Sequence, residues 1–122
     1  MNIKTITVNN IDIAIVQDGA CVITYVQSAL DLAVTLQYEY GCSRIILNRD
    51  AFAEDFFNLS TRLAGDILQK YTNYSIKLAV VGDFSIIKSN ALHDFIRESN
   101  RGNSFFFVPN EEDAIERLSK AP

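Results

Sequence analysis

The most informative part of this sequence is the short run Lys77-Leu78-Ala79-Val80-Val81, which is followed by Gly82 and Asp83. The run is too short for an ordinary helix, and its apolar residues occupy both alternating positions of a strand. Strands that are apolar on both faces are typical of parallel sheets with helices packed on each side. The run therefore predicts a central strand of an α/β domain.

The segments around this strand alternate between strand and helix patterns. The apolar run 44–48 and the phenylalanine-rich run 104–108 predict two further covered strands. Apolar residues at helical spacing over 61–72 predict a helix, with Ser60 as its N-cap. Three other helical patterns have predicted N-caps at their starts: Thr24, Ser89 and Asn110.

The N-terminal residues predict a β-hairpin. Two β-rich runs flank Asn9-Asn10, and asparagine tolerates the positive φ of a two-residue turn. The segment Gln17-Asp18-Gly19-Ala20 is expected to end the hairpin. The predicted order β-β-α-β-α-β-α-β-α favours a mostly parallel sheet of about five strands with about four helices. We expect one α/β domain over residues 1–122.

Composition excludes several kinds of partner. The chain has 122 residues, with 11 basic and 15 acidic side chains, and a net charge of −4. A negative protein is poorly suited to nucleic acid or to an anionic membrane surface, so we expect neither as a partner. The sequence has neither a signal-peptide pattern nor an apolar run long enough to cross a membrane. We therefore expect a cytoplasmic protein, with Cys21 and Cys42 as buried free thiols.

Known catalytic motifs are absent from the sequence. It contains no GxxxxGK[ST] loop, no GxGxxG turn after the first parallel strand and no GxSxG nucleophile elbow. The chain's one histidine, His93, excludes a histidine-rich metal site and is expected to face solvent. We assign no catalytic residue, metal or cofactor, and expect a protein that is not an enzyme.

Two groups of polar residues are the candidate sites. Ser60 and Thr61 precede a helix, where free backbone N–H groups favour a phosphate, although simple capping explains them as well. Asp83, Ser85 and Ser89 follow the central strand, at the end of the sheet where open α/β folds bind ligands. The alternative for this second group is a turn whose side chains satisfy backbone groups.

The aromatic residues also allow two interpretations. Phe52, Phe56 and Phe57, together with Tyr71 and Tyr74, are expected to lie in the core. Eight phenylalanines in a chain without tryptophan could instead form a homodimer interface, because exposed aromatic patches mark interfaces.

The element order and one local passage resemble the sulphate-transporter and anti-sigma-antagonist (STAS) fold, which includes the SpoIIAA-like proteins. The passage runs from Asn58 through Ser60-Thr61-Arg62-Leu63, and the strand Lys77–Val81 follows it. In that family, a partner kinase phosphorylates a serine at this position, and this phosphorylation switches the binding of a partner. The resemblance implies a regulatory, protein-binding module with Ser60 or Thr61 as its phosphorylation site. Arg62 stands where the family has a small residue.

A second resemblance covers nearly the full length. It is to a bacterial family known only as domain of unknown function 4180, and it implies a cytoplasmic single-domain protein with no stated activity. The segments that carry it are Ala29-Leu30-Asp31-Leu32, Phe56-Phe57-Asn58-Leu59-Ser60-Thr61, residues 63–70, residues 77–84 and residues 94–100.

Overall fold

The segment Lys77–Val81 forms the fourth strand of a five-stranded sheet in the computed structural model, which describes residues 2–17 and 20–122. The strands lie in the sheet in chain order. The first pair is antiparallel and the other pairs are parallel. The strands of the described chain are β1 (Ile3–Val8), β2 (Ile11–Val16), β3 (Arg44–Asn48), β4 (Lys77–Val81) and β5 (Phe105–Val108).

The described residues form five α-helices. The shortest, α2 (Glu54–Phe57), is the single helical turn that the sequence allows in this stretch, and it lies with two 3-10 turns, Arg49–Ala51 and Leu59–Thr61, in the long connection after β3. The helices are α1 (Val26–Tyr40), α2 (Glu54–Phe57), α3 (Leu63–Asn73), α4 (Asn90–Arg101) and α5 (Glu111–Lys120).

Most helices cover the same face of the sheet. Each crossover from β2 to β5 moves the chain one strand further in the same direction, so crossovers of one hand place α1, α3 and α4 together. The core on that side includes Ala14, Leu78 and Phe107 of the sheet. The opposite face is covered by α5, whose Ala114 and Leu118 are fully buried.

The hairpin forms as the sequence predicts. Asn9 and Asn10 have φ values of 54° and 65°, which are the left-handed values that a type I′ turn requires at both central positions. The second strand ends at Val16, directly before the expected end at residues 17–20, of which Asp18 and Gly19 lie outside the described residues. Downstream, Ser89 and Asn110 cap α4 and α5 as predicted, by accepting hydrogen bonds from Leu92 N–H and Asp113 N–H.

The predicted cap of α1 is wrong. Tyr25, not Thr24, occupies the N-cap position. Ser28 Oγ accepts the N–H groups of both Thr24 and Tyr25, at 3.0 and 3.1 Å. A side chain from the first turn of α1 therefore satisfies the two backbone N–H groups just before the helix.

A side chain closes the outer edge of β5. Asn100 Nδ2 donates to the Phe107 carbonyl at 3.1 Å, and the Phe107 N–H donates to Asn100 Oδ1 at 2.8 Å. The primary amide thus makes the pair of bonds that a neighbouring strand would make. Arg117 Nη2 donates to the Asn100 carbonyl, and its guanidinium lies 4.4 Å from the centre of the Phe106 ring.

Replacing this amide is expected to weaken the fold. Asn100→Ala leaves the backbone N–H of the buried Phe107 without its partner, which costs about 1–3 kcal/mol. Urea unfolding monitored by circular dichroism measures the change. Asn103→Ala, at an exposed asparagine close in sequence, is the control and should change stability by less than about 0.5 kcal/mol. Equal effects of the two substitutions would show that the amide does not stabilise the edge.

Candidate functional site

Both candidate groups lie at one end of the molecule. Ser60, Thr61 and Arg62 are in the connection between β3 and α3, and Asp83, Ser85 and Ser89 are in the connection between β4 and α4. Because β3 and β4 are parallel, their carboxyl ends share one edge of the sheet. The structure therefore brings the two predicted sites to the same edge, as neighbouring loops.

Ser60 does not cap α3, contrary to the sequence-based prediction. The helix begins at Leu63, and Arg62 occupies the N-cap position with a φ of 65°. Ser60 lies in the preceding 3-10 turn, where its hydroxyl donates to Asn58 Oδ1 at 2.7 Å. The same oxygen accepts the Ser60 N–H at 3.2 Å. Ser60 is exposed, so it presents its hydroxyl on a turn that Asn58 organises.

Thr61 holds this turn against α2. Its hydroxyl lies 2.6 Å from the Asp55 carbonyl oxygen and 2.8 Å from the Asn58 carbonyl oxygen, and it accepts the Leu63 N–H at 3.3 Å. One hydroxyl thus satisfies the end of α2 and the start of α3. Thr61 is exposed, but its hydroxyl takes part in three contacts within the turn. The Ser60 hydroxyl makes one hydrogen bond and is therefore the more available of the two.

Asp83 and Ser85 form a compact turn of their own. Asp83 Oδ1 accepts the Ser85 hydroxyl at 2.5 Å and the Ser85 N–H at 3.0 Å. These two bonds, first the hydroxyl and then the amide, lower the pKa of Asp83 below its ordinary value, and the nearby Arg49 charge adds to the effect. Ser89 is engaged separately, as the cap of α4.

A crevice of about 510 Å³ opens beside Asp83, between the ends of β3 and β4. Its walls include Arg49, Glu54, Gly82 and Asp83. Of the three residues predicted as one ligand site, only Asp83 lines the crevice. Ser85 is hydrogen-bonded to Asp83 but does not line the crevice, and Ser89 caps α4 instead.

The residue that the sequence analysis missed is Arg49. Its guanidinium carbon lies 5.1 Å from the centre of the Phe57 ring and 6.0 Å from that of Phe84, and its Nη1 donates to the Asp83 carbonyl at 3.2 Å. The Phe57 and Phe84 rings are themselves 6.3 Å apart. We call Arg49, Phe57 and Phe84 the arginine–phenylalanine cluster. The sequence signal for this site was an arginine directly after β3, but the two rings that it contacts come from other segments of the chain.

The cluster connects the two candidate loops. Phe57 immediately precedes Asn58 and the Ser60 turn, whereas Phe84 lies between Asp83 and Ser85. A guanidinium close to aromatic rings is favourable, and the contact between the two rings adds to the packing. A displacement of either loop therefore changes the packing of the other.

The remaining predictions on single residues have mixed outcomes. Cys42 is buried, and burial raises the pKa of its thiol, but Cys21 is exposed, which contradicts the expectation for it. His93 is half-buried and its Nε2 contacts the Ile87 carbonyl at 2.5 Å, so it does not simply face solvent. Among the predicted core aromatics, Tyr74 is 47% exposed and the others are buried.

Comparison with known proteins gives one result for nearly the whole chain. A family model, described as "Domain of unknown function (DUF4180)", matches residues 8–118. The chain belongs to this DUF4180 family. The match includes every strand from β2 to β5 and both candidate loops, so the sequence-based resemblance to this family is confirmed. The family description states no activity.

No curated protein and no solved structure matches the chain. Within the part of the chain that the structure describes, no helix is long and apolar enough to cross a membrane. The same residues contain no group of three or more histidine, cysteine, aspartate or glutamate side chains that could hold a metal ion.

Two glycines of this DUF4180 protein make a matched test of the crevice. A Cβ on Gly82 would lie 2.8 Å from Arg49 Cβ, whereas a Cβ on Gly65 would meet nothing within 4 Å. Gly82→Ala must displace Arg49 and is expected to cost about 1–3 kcal/mol. Gly65→Ala, in the first turn of α3, should stabilise by about 0.4–1 kcal/mol. Thermal unfolding compares them, and a stabilising Gly82→Ala would refute the close approach.

Ser85→Ala is expected to raise the pKa of Asp83 towards its ordinary value, because it removes the hydroxyl that donates to the carboxylate, while the backbone N–H of residue 85 still donates. Since the folded-state pKa is lowered, any stability from this carboxylate is present above the unfolded pKa and is lost as the pH falls through the folded pKa. Carboxyl-carbon NMR titration measures the shift. Ser89→Ala removes a serine that does not contact Asp83 and should leave the titration unchanged.

Proposed function

We propose that this DUF4180 protein is a non-enzymatic, regulatory protein-interaction module of STAS-like type. A partner docks on the surface around the Ser60 turn at the carboxyl edge of the sheet, and phosphorylation of Ser60 or Thr61 switches the docking. The observation that supports the proposal is the exposed Ser60 hydroxyl, presented on an ordered turn before α3, whose only hydrogen bond in the described chain goes to Asn58.

The topology supports the STAS-like part of the proposal. After the β1–β2 hairpin, each of β2, β3, β4 and β5 is followed by a helix, and the strands stay in chain order. This element order is the one on which the resemblance rests. The Ser60 turn lies between β3 and α3, as the phosphorylated serine of that family would require.

A phosphate on Ser60 would change the turn in two ways. It would replace the hydrogen that Ser60 now donates to Asn58, so this bond would be lost. It would also bring a charge of about −1.5 to −2 next to the start of α3, two residues before Arg62. Positive groups and helix N-termini stabilise such a charge. The turn would therefore reorganise, and the shape and charge of the docking surface would change.

The arginine–phenylalanine cluster extends this change to the second loop. Phe57 lies just before the Ser60 turn, and its ring is 6.3 Å from the ring of Phe84, which lies within the Asp83–Ser85 turn. A partner that covers the carboxyl edge would contact both loops. One modified serine could thus alter a docking surface that is larger than its own turn.

The test compares Ser60 with a serine at the opposite end of the sheet. Ser60 is exposed on the turn that follows β3, whereas Ser43 is exposed directly before β3. The intact mass of the protein from its native cells, with phosphopeptide mapping, should show a phosphate on Ser60 or Thr61. Ser60→Asp should change recovery of a co-purifying protein at least about threefold relative to Ser60→Ala, whereas Ser43→Asp should leave recovery as in the wild type. An unmodified protein whose partner tolerates Ser60→Asp would refute the switch.

The crevice favours a second candidate function. It could hold a small molecule or anion, or serve an enzyme reaction, with Asp83 and the nearby Ser85 and Ser89 as the predicted ligand group. The specific observation is an opening of about 510 Å³ at the carboxyl ends of parallel strands, where such folds bind ligands. A metabolite that raises the melting temperature of the wild-type protein but not of Arg49→Ala would support this function. Stabilisation that is equal in both proteins would place the ligand elsewhere.

A further inference from the structure

The two edges of the sheet differ in their exposure. The Asn100 amide closes the edge at β5, whereas no described residue pairs with the outer edge of β1. The Gln17 N–H donates to the Asn2 carbonyl, so the even-numbered residues of β1 pair with β2. By the alternation of an antiparallel ladder, the backbone groups of Ile3, Thr5 and Thr7 point away from β2.

A groove of about 430 Å³ runs along α1 and reaches the open edge at Ile3 of β1. Tyr25, at the N-cap of α1, and Tyr40, its last residue, both line the groove and are 59% and 43% exposed. Ile3 and Leu32 contribute apolar surface to it. Helix α1 returns from the end of β2 to the start of β3, so it runs in the same direction as β1, over about 22 Å against about 20 Å for the strand.

The charge of the groove is negative throughout. Asp31 and Glu39 line it, and they are the charged residues of α1, which contains no lysine or arginine. Asp31 accepts a hydrogen bond from Gln27, and neither carboxylate pairs with a basic side chain of the described chain. An occupant with positive side chains would neutralise them.

These charges argue against a second copy of the chain as the occupant. Pairing β1 with its own copy about a two-fold axis brings the two α1 helices side by side, with Asp31 and Glu39 facing like charges. A register centred on Lys4 would also place two lysines opposite each other, which destabilises strand pairing. The Lys4 side chain is on the face of the sheet away from the groove. It therefore does not repel the positive side chains of a different occupant in the groove.

We propose that an extended, basic segment of a partner protein adds to β1 as a further strand and lays alternate side chains in the groove. Main-chain bonds to Ile3, Thr5 and Thr7 would supply affinity, and the groove would supply specificity. Eight residues of helix separate Asp31 from Glu39, which is about 12 Å and about four residues of extended chain. The segment therefore carries lysine or arginine at positions i and i+4, with an apolar residue at i+2 on the same face.

The probe is the fluorescent peptide Thr-Lys-Thr-Val-Thr-Lys-Thr, and its control is the same peptide with glutamate in place of lysine. Fluorescence anisotropy should show at least about tenfold tighter binding of the lysine peptide to the full chain. Two further peptides are N-methylated, one on its odd and one on its even residues. Only one of these sets faces β1, so we expect one methylated peptide to lose binding and the other to keep it.

The variants test charge and edge separately. The double substitution Asp31→Asn and Glu39→Gln keeps size but removes the negative charges, and should weaken binding of the lysine peptide about tenfold. Glu98→Gln, an exposed acid on α4, is the matched control and should bind as the wild type does. Thr5→Pro removes one outward N–H without breaking a β1–β2 bond and should abolish binding, provided circular dichroism shows a folded protein.

Three results would overturn the proposal. One is equal binding of the lysine and glutamate peptides. Another is unchanged binding of the lysine peptide by the Asp31 and Glu39 double variant. This measurement tests the proposal even if Thr5→Pro fails to fold. The third is a dimer in analytical ultracentrifugation that Thr5→Pro dissociates, since a second copy would then occupy the edge. Because the peptide assay uses unmodified protein and does not involve Ser60, its failure is distinguishable from failure of the phosphorylation switch.

Discussion

Leu78 and Val80 of β4 pack against the side of the sheet covered by α1, α3 and α4, while Ala79 packs beneath α5. Neither face of this strand reaches water, and its backbone is paired on both sides, with β3 and with β5. Burial of apolar side chains on both faces is the main stabilising term for such a strand. It requires a central position, helices on both faces and parallel neighbours.

This burial also decides where function can reside. Parallel strands end at the same edge, so the loops after β3 and β4 become neighbours although α3 and β4 lie between them in the sequence. Within these loops, most polar side chains satisfy nearby backbone groups: Thr61 ties α2 to α3, and Ser89 caps α4. After these local hydrogen bonds are made, the Ser60 hydroxyl and the crevice beside Arg49 remain accessible to another molecule.

The two outer strands show how the same sheet can be closed at one edge and open at the other. Open strand edges invite pairing with other chains, and proteins commonly block them. At β5 the blocking group is one asparagine amide, supported by Arg117. At β1 the neighbouring structure is a groove with exposed tyrosines and two carboxylates, neither of which pairs with a basic side chain of the described residues. Under the proposed strand addition, these charges would select among partners.

The sequence by itself determined the features that depend on neighbouring residues along the chain. Apolar spacing gave the alternation of strands and helices, Asn9-Asn10 fixed the hairpin turn, and Ser89 and Asn110 marked two helix starts, because periodicity and capping act over a few residues. The family resemblance was also apparent from the sequence, because several segments match the family in the same order. Tertiary structure decided where α3 begins, since Thr61 is held by the carbonyls of Asp55 and Asn58 and leaves Ser60 in the preceding turn. It decided as well that Arg49 stacks on Phe57 and Phe84 and that Asn100 closes β5, because these contacts join residues whose proximity only the packed sheet creates.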